Sequence, residues 1–119
     1  MLQYSQKQIE GLDKFYKHPR NLVDLFEDTV TKWGERNAIG TKNPQTKAYE
    51  WITYQKLAER INHVRSAIHQ LGINKGDAVG VIIGNSVEWY ALENASHGLG
   101  AIFVPMYEKE LMKTWQYIV

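Results

Sequence analysis

The stretch from Leu71 to Tyr107 constrains the fold most strongly, because it predicts a turn, a strand, a capped helix and a second strand in that order. The first strand, AVGVIIG at 78–84, is apolar on both faces, which is typical of an interior strand of a parallel sheet. A helix between two such strands predicts a βαβ crossover. Because one crossover cannot cover both faces of its own sheet, we expect an α/β fold and a larger parallel sheet.

The helix inside this crossover has recognisable start and stop signals. Asn85 and Glu88 fit a capping box, with Asn85 as the cap and Glu88 as its partner. Gly100 is a natural helix end, and AIFV at 101–104 follows as the second strand, ended by Pro105. Small residues along one side predict close packing of this helix on the sheet: Ala91, Ala95 and Gly98.

Two amphipathic helices and a β-hairpin are predicted upstream. Asn21 and Thr53 are the expected helix caps, and the period-two pattern of 37–53, with a turn at Asn43-Pro44, predicts the hairpin between the helices. Gly72 ends the second helix. The apolar positions predicted to face inward are Leu22, Phe26, Val30 and Trp33 in the first helix and Leu57, Ile61, Val64, Ile68 and Leu71 in the second.

The two ends of the chain differ in character. Residues 1–20 predict an N-terminal arm with an amphipathic helix, which either packs on the protein or a partner subunit or lies on an anionic membrane. Residues 108–119 predict the start of another helix. Since the sequence ends on an apolar segment, we expect 21–119 to be an incomplete domain. The predicted inward residues of these ends are Ile9, Leu12, Phe15, Tyr16, Leu111, Trp115 and Ile118.

Composition excludes several classes of function. The net charge is +1, from 14 Lys+Arg and 13 Asp+Glu, without a basic cluster, so nucleic acid is not an expected partner. The longest apolar run is far shorter than the roughly 20 residues of a membrane span. The absence of cysteine excludes disulfides and thiolate chemistry. Without the apolar core of a secretory signal, the chain is expected in the cytoplasm or at the membrane periphery.

No catalytic constellation can be assembled from these residues. The glycines form neither GxGxxG nor a phosphate loop, and Ser86 lacks the flanking glycines of a hydrolase elbow. His63 and His69 are not spaced as metal ligands on one helix, and Glu88 and Glu93 do not face each other. We therefore predict no catalytic, cofactor-binding or metal-binding residue here. Three of the four tryptophans lie on apolar periodicities that predict core positions rather than stacking on a ligand.

Four motifs stand in order between Asn21 and Tyr117: WITY…L at 51–57, LGI…KGDAV at 71–79, NSVEW at 85–89 and GLGAIFVPMY at 98–107. Taken together, they resemble the N-terminal region of the AMP-forming adenylate enzymes. This family contains acyl-CoA synthetases, luciferases and adenylation domains. The Tyr-x-Trp before Thr53 and the Val-Pro-Met-Tyr ending are most similar to the long-chain fatty acyl-CoA synthetases.

The resemblance implies a two-step ligase. A fatty acid carboxylate attacks the α-phosphate of ATP, releasing pyrophosphate, and the coenzyme A thiol then displaces AMP. The full-length parent would use ATP, Mg²⁺ and coenzyme A, whereas none is expected to bind this fragment. The family's catalytic motifs lie downstream of this region, so the fragment is expected to be inactive alone. In some family members the segment after Val-Pro lies toward the coenzyme A side, so Met106-Tyr107-Glu108 is the one stretch in which the resemblance suggests looking for a ligand contact.

An alternative from a different class stays open. The chain could be a stand-alone α/β binding or regulatory module that uses a sheet edge or exposed apolar surface to bind a partner or to form an oligomer. One departure from the family pattern concerns Lys56, where family members commonly have Glu. With Thr53 as the cap, Glu would complete a capping box, so Lys56→Glu is predicted to stabilise the fold.

Overall fold

The computed structural model describes residues 5–7, 10 and 21–118. The elements in chain order are α1 (Leu22–Trp33), β1 (Asn37–Lys42), β2 (Tyr49–Thr53), α2 (Tyr54–Gln70), β3 (Ala78–Val81), α3 (Val87–Leu99), β4 (Ile102–Pro105) and α4 (Met112–Ile118). This order confirms the predicted α/β class. The amphipathic face predicted for the N-terminal arm, with Ile9, Leu12, Phe15 and Tyr16, lies outside the described residues.

Within the described residues, the strands form two separate two-stranded sheets. β1 and β2 pair antiparallel, with Gly40 opposite Trp51, which confirms the hairpin. β3 and β4 pair parallel, with Val79 opposite Phe103, which confirms the crossover. The hairpin turn is held by the Asn43 side chain, because its Oδ1 accepts hydrogen bonds from the backbone N–H of Gln45 at 2.9 Å and of Thr46 at 3.1 Å.

The core lies between α2 and α3. Leu57 and Ile61 of α2 pack with Val87, Ala91 and Ala95 of α3, and all five are buried. The prediction that the small side of α3 faces the sheet was therefore wrong. Small side chains bring α3 close to α2, where branched residues fill the space between the helices.

The sheet instead meets the opposite, aromatic side of α3. The Phe103 ring lies edge-on to Trp89, with centroids 5.2 Å apart, and 6.4 Å from the His97 ring. Edge-to-face contacts at these distances are favourable because the positive ring edge meets the negative ring face. α3 is thus packed on two sides, against α2 through small residues and against β4 through aromatic ones.

Two of the predicted helix caps are confirmed and one was wrong. Asn21 Oδ1 accepts from Asp24 N at 2.9 Å, and Thr53 Oγ1 accepts from Lys56 N at 3.3 Å. For α3 the cap is Ser86, whose Oγ accepts from Trp89 N at 3.2 Å, and not Asn85. The one-residue shift removes the capping role predicted for Glu88.

The end of α2 follows the predicted glycine signal. Gly72 has φ +99°, in the left-handed region that glycine adopts without steric cost. Ile73 N donates to Ile68 O at 3.1 Å and Gly72 N to His69 O at 2.9 Å, which together form a Schellman motif. Leu71 was predicted to face inward, but it is 82% exposed. The left-handed turn at Gly72 directs the chain away from the core, and it leaves the adjacent Leu71 side chain in solvent.

Several other apolar residues are more exposed than the sequence predicts. β3 ends at Val81, and Ile82 and Ile83 beyond it are exposed, so this strand is not covered on both faces by the described residues. The core positions predicted for tryptophans were also wrong, since none of the four is buried. In the C-terminal segment, Leu111 and Ile118 are exposed rather than inward.

Candidate functional site

The carboxyl ends of β3 and β4 lie side by side at one edge of the parallel sheet. Met106 N donates to Val81 O at 2.8 Å, which holds the chain after β4 beside the end of β3. In open α/β sheets, ligands bind in the crevice outside the carboxyl ends of the strands. This edge, formed by 82–86 after β3 and 106–108 after β4, is therefore the candidate site.

The two segments at this edge approach each other closely. A methyl group built on Gly84 would lie 3.5 Å from Glu108 Oε1, and one built on Gly80 would lie 3.1 Å from the Met106 methyl carbon. Tyr107 is 80% exposed, and its carbonyl accepts from Trp115 Nε1 at 3.1 Å, which ties α4 to the edge. The sequence-predicted stretch Met106-Tyr107-Glu108 thus lies where a ligand of a parallel sheet would bind.

Sequence reasoning missed the other half of this edge. Ser86 and Asn85 were interpreted only as helix-start residues, although they also follow the end of a parallel strand. That position was the available signal, since strand ends and helix starts meet at such sites. The structure brings these residues beside a groove of about 900 Å³ between the hairpin and the start of α3.

Charge pairing in this groove is modest. Arg60 Nη2 lies 3.1 Å from Glu88 Oε1, and both side chains are about half exposed. An exposed pair of this kind contributes little to stability because solvent screens it. The ion pair between Arg60 and Glu88 thus links α2 to the start of α3 without adding much stability.

The histidines and carboxylates remain dispersed. Within residues 21–118 and the described part of the arm, no group of three or more His, Cys, Asp or Glu side chains is placed to hold a metal ion. His63 and His69 are both exposed, and His69 Nδ1 lies 3.3 Å from Ile73 O. Among the described residues, no helix is both long and apolar enough to cross a lipid bilayer.

Comparison with known proteins shows which family has this arrangement. The family model described as AMP-binding enzyme matches residues 26–119. The chain belongs to the AMP-binding enzyme family. The match includes the hairpin, the α2–α3 core and the carboxyl edge of β3 and β4, and it confirms the resemblance drawn from the motifs.

Relatives within the AMP-binding family include long-chain acyl-CoA synthetases. The chain is 34% identical over 102 residues to fatty acyl-CoA synthetase A of Dictyostelium discoideum, covering 82% of this chain and 15% of the relative. It is 27% identical over 112 residues to long-chain-fatty-acid–CoA ligase 1 of Cavia porcellus, covering 92% and 16%. The chain therefore spans about a sixth of the length of these relatives.

Solved structures of the family share the fold. A fatty acyl-CoA synthetase of Mycobacterium tuberculosis superimposes with a TM-score of 0.72 at 26% identity, covering 82% of this chain and 19% of that one. The N-terminal subdomain of Klebsiella oxytoca NpsA gives a TM-score of 0.72 at 24% identity, covering 82% and 24%. The fold predicted from the sequence, part of the N-terminal region of an adenylate-forming enzyme, is confirmed.

Proposed function

We propose that these residues form the N-terminal scaffold of a long-chain fatty acid–CoA ligase, which converts ATP, a fatty acid and coenzyme A into acyl-CoA, AMP and pyrophosphate. The observation that supports this most directly is the family match over 26–119, together with relatives named as fatty acyl-CoA synthetases. Within the proposal, the α2–α3 core and the hairpin hold the parallel strands in place, and the catalytic groups come from the remainder of the enzyme.

The chemistry of the described side chains explains why the catalytic groups are assigned to the remainder of the enzyme. Adenylate formation needs groups that neutralise the phosphate charge as the carboxylate oxygen attacks. The described residues offer neither a cluster suited to Mg²⁺ nor a phosphate-cradling glycine loop. We therefore assign no ATP, Mg²⁺ or coenzyme A ligand to these residues, and no catalytic step passes through them.

The open parallel sheet supports the scaffold role. Ile102 of β4 is 57% exposed, and Ile82 and Ile83 beyond β3 are also exposed. Exposed branched residues beside unpaired strand edges are typical of surfaces that pack on further polypeptide. In the proposal, the remainder of the ligase packs here, and the fatty acid reaches the enzyme through that remainder. A cytoplasmic or membrane-peripheral location stays a prediction.

The proposal is tested by assaying the 119-residue chain for fatty-acid-dependent exchange of pyrophosphate into ATP. We expect no exchange above the buffer blank with a long-chain fatty acid and Mg²⁺, because the adenylating groups are assigned elsewhere. Exchange above the blank that depends on the fatty acid would contradict the assignment.

A second measurement separates a scaffold from a stand-alone module. As a scaffold, the chain with its open sheet face should bind a hydrophobic dye. A monomer that unfolds cooperatively without dye binding would favour the stand-alone alternative.

A further inference from the structure

A pocket lies between α1 and α3, away from the carboxyl edge. Among the described residues, its walls carry one phenyl and two phenol rings from three different helices: Phe26, Tyr54 and Tyr90. We call this the aromatic pocket. Its volume is about 310 Å³, at the small end of the roughly 300–1,000 Å³ usual for ligand sites.

The rings are arranged at angles to one another. The Phe26 centroid lies 6.5 Å from that of Tyr54, with 51° between the planes, and 6.3 Å from that of Tyr90, with 62° between the planes. A cation within about 6 Å of a ring centroid is attracted by the negative face of the ring. Rings at these distances also contact each other. Since all three border the pocket, an ion in it would lie beside more than one ring.

One carboxylate also lines the aromatic pocket. Glu93 is half-buried on α3, one turn after Tyr90, and forms no ion pair with a described residue. The described residues that line the pocket include no lysine or arginine, and their one basic side chain is the His97 imidazole. A cation that enters the pocket would therefore meet one carboxylate and neither a described lysine nor a described arginine.

The charge of Glu93 affects the titration of Tyr90 in the pocket. Burial raises the pKa of the Tyr90 phenol above its usual value of 10.0, a hydrogen bond from the Asn94 side chain opposes the shift, and the charge of Glu93 adds to it. The Glu93 carboxylate therefore lies close enough to the Tyr90 side chain for its charge to act there. The same charge would attract a cation bound in the pocket.

We propose that the aromatic pocket binds a small quaternary ammonium ion, with Phe26, Tyr54 and Tyr90 facing its methyl groups and Glu93 supplying the opposite charge. Quaternary ammonium groups suit such a site because they donate no strong hydrogen bond and are weakly hydrated, so ring faces replace their solvent at small cost. Tyr90 also borders the groove between the hairpin and α3, but the inference uses no catalytic step of the proposed ligase and stands independently of it.

Choline and its uncharged isostere 3,3-dimethyl-1-butanol are matched probes. The 119-residue chain is titrated with each at constant ionic strength, and the ring proton resonances of the three aromatic residues are followed by NMR. We expect choline to bind about tenfold more tightly than the alcohol, as a desolvated cation–π site allows. Equal affinity for the two probes, or no ring shift with either, would overturn the proposal.

Four variants test the roles of charge and ring. Glu93→Gln should weaken choline binding about fivefold or more and leave alcohol binding unchanged, since it removes only the charge. Glu88→Gln, on the same helix but outside the pocket, is the control and should retain the wild-type affinity. Tyr90→Phe keeps the ring and should retain binding, whereas Tyr90→Leu should lose it. Amide spectra of each variant verify the fold, and a folded Glu93→Gln protein with unchanged choline affinity would overturn the role of the carboxylate.

Discussion

The Arg65 guanidinium of α2 lies directly against the backbone of Gly98 in α3. A methyl group built on Gly98 would lie 2.6 Å from Arg65 Nε and 2.7 Å from Cζ, closer than van der Waals contact permits. Arg65 Nε is buried there without a hydrogen-bond partner among the described residues. The absence of a side chain at Gly98 is thus what lets the long arginine cover the end of α3.

This contact predicts that the effect of Gly98→Ala depends on Arg65. In the wild type we expect Gly98→Ala to change stability by less than about 0.5 kcal/mol, because displacing the end of the Arg65 side chain offsets the gain from alanine. In an Arg65→Ala background the same change should stabilise it by roughly 0.5–1 kcal/mol, because alanine loses less backbone entropy in a helix. Urea unfolding of the double-mutant cycle measures both values, and equal effects in the two backgrounds would refute the contact.

The start of α3 gives a second prediction, since sequence and structure assign different caps. Ser86→Ala should cost about 1 kcal/mol of unfolding free energy, because the Trp89 N–H loses its acceptor. Asn85→Ala, one residue earlier, should change stability by less than about 0.5 kcal/mol. Urea denaturation midpoints of the two variants compare these losses in stability. A larger loss for Asn85→Ala than for Ser86→Ala would show that Asn85 is the cap, as the sequence predicted.

Lys56 gives a third prediction, because it occupies the third position of α2 after the Thr53 cap. Lys56→Glu should raise the unfolding free energy by roughly 0.3–1 kcal/mol, because it replaces a positive charge near the positive end of the helix dipole. Lys56→Gln should give part of this gain, since glutamine can complete the capping box without charge. Lys109→Glu, outside the helices, controls for the change in net charge. A thermal melt in which Lys56→Glu is neutral or worse would refute the predicted gain.

The fourth prediction concerns pH and Tyr90. Because burial raises the pKa of this phenol in the folded chain, the folded state keeps its proton at a pH where the unfolded state loses it. The stability that this raised pKa contributes is complete below the usual pKa of 10.0, and it is lost as the pH rises through the pKa of the folded state. Tyr90→Phe should therefore lose stability less steeply between about pH 9 and pH 11. Parallel urea-midpoint profiles for the two proteins would show that Tyr90 does not contribute.

The features that the sequence predicted correctly depend on neighbouring residues. Asn21 and Thr53 cap their helices by accepting a hydrogen bond from the backbone N–H three residues later. Gly72 and Gly100 both adopt positive φ at helix ends. Such signals lie within a few residues of each other, so no knowledge of the rest of the fold is required. The hairpin follows in the same way from local turn chemistry and strand period. The parallel pairing follows from a helix placed between two apolar strands, since such a connection joins parallel neighbours.

The errors concern what packs against what. The small side of α3 meets α2 rather than the sheet, and Leu71 faces solvent although it continues an apolar stripe. Periodicity identifies an apolar face but not its partner, which depends on the angles between elements. The aromatic pocket was missed for the same reason, because α1, α2 and α3 each contribute one of its rings and no spacing in the sequence relates them.

A chimera tests the central claim most directly: residues 26–119 replace the matching segment of the Dictyostelium discoideum fatty acyl-CoA synthetase A, and acyl-CoA formation is measured across fatty acid chain lengths. If these residues are scaffold, the chimera should keep ATP- and coenzyme A-dependent activity within about tenfold of the parent, equivalent to roughly 1.4 kcal/mol of barrier, with an unchanged chain-length preference. A correctly folded chimera that is inactive, or whose chain-length preference has shifted, would contradict the scaffold role.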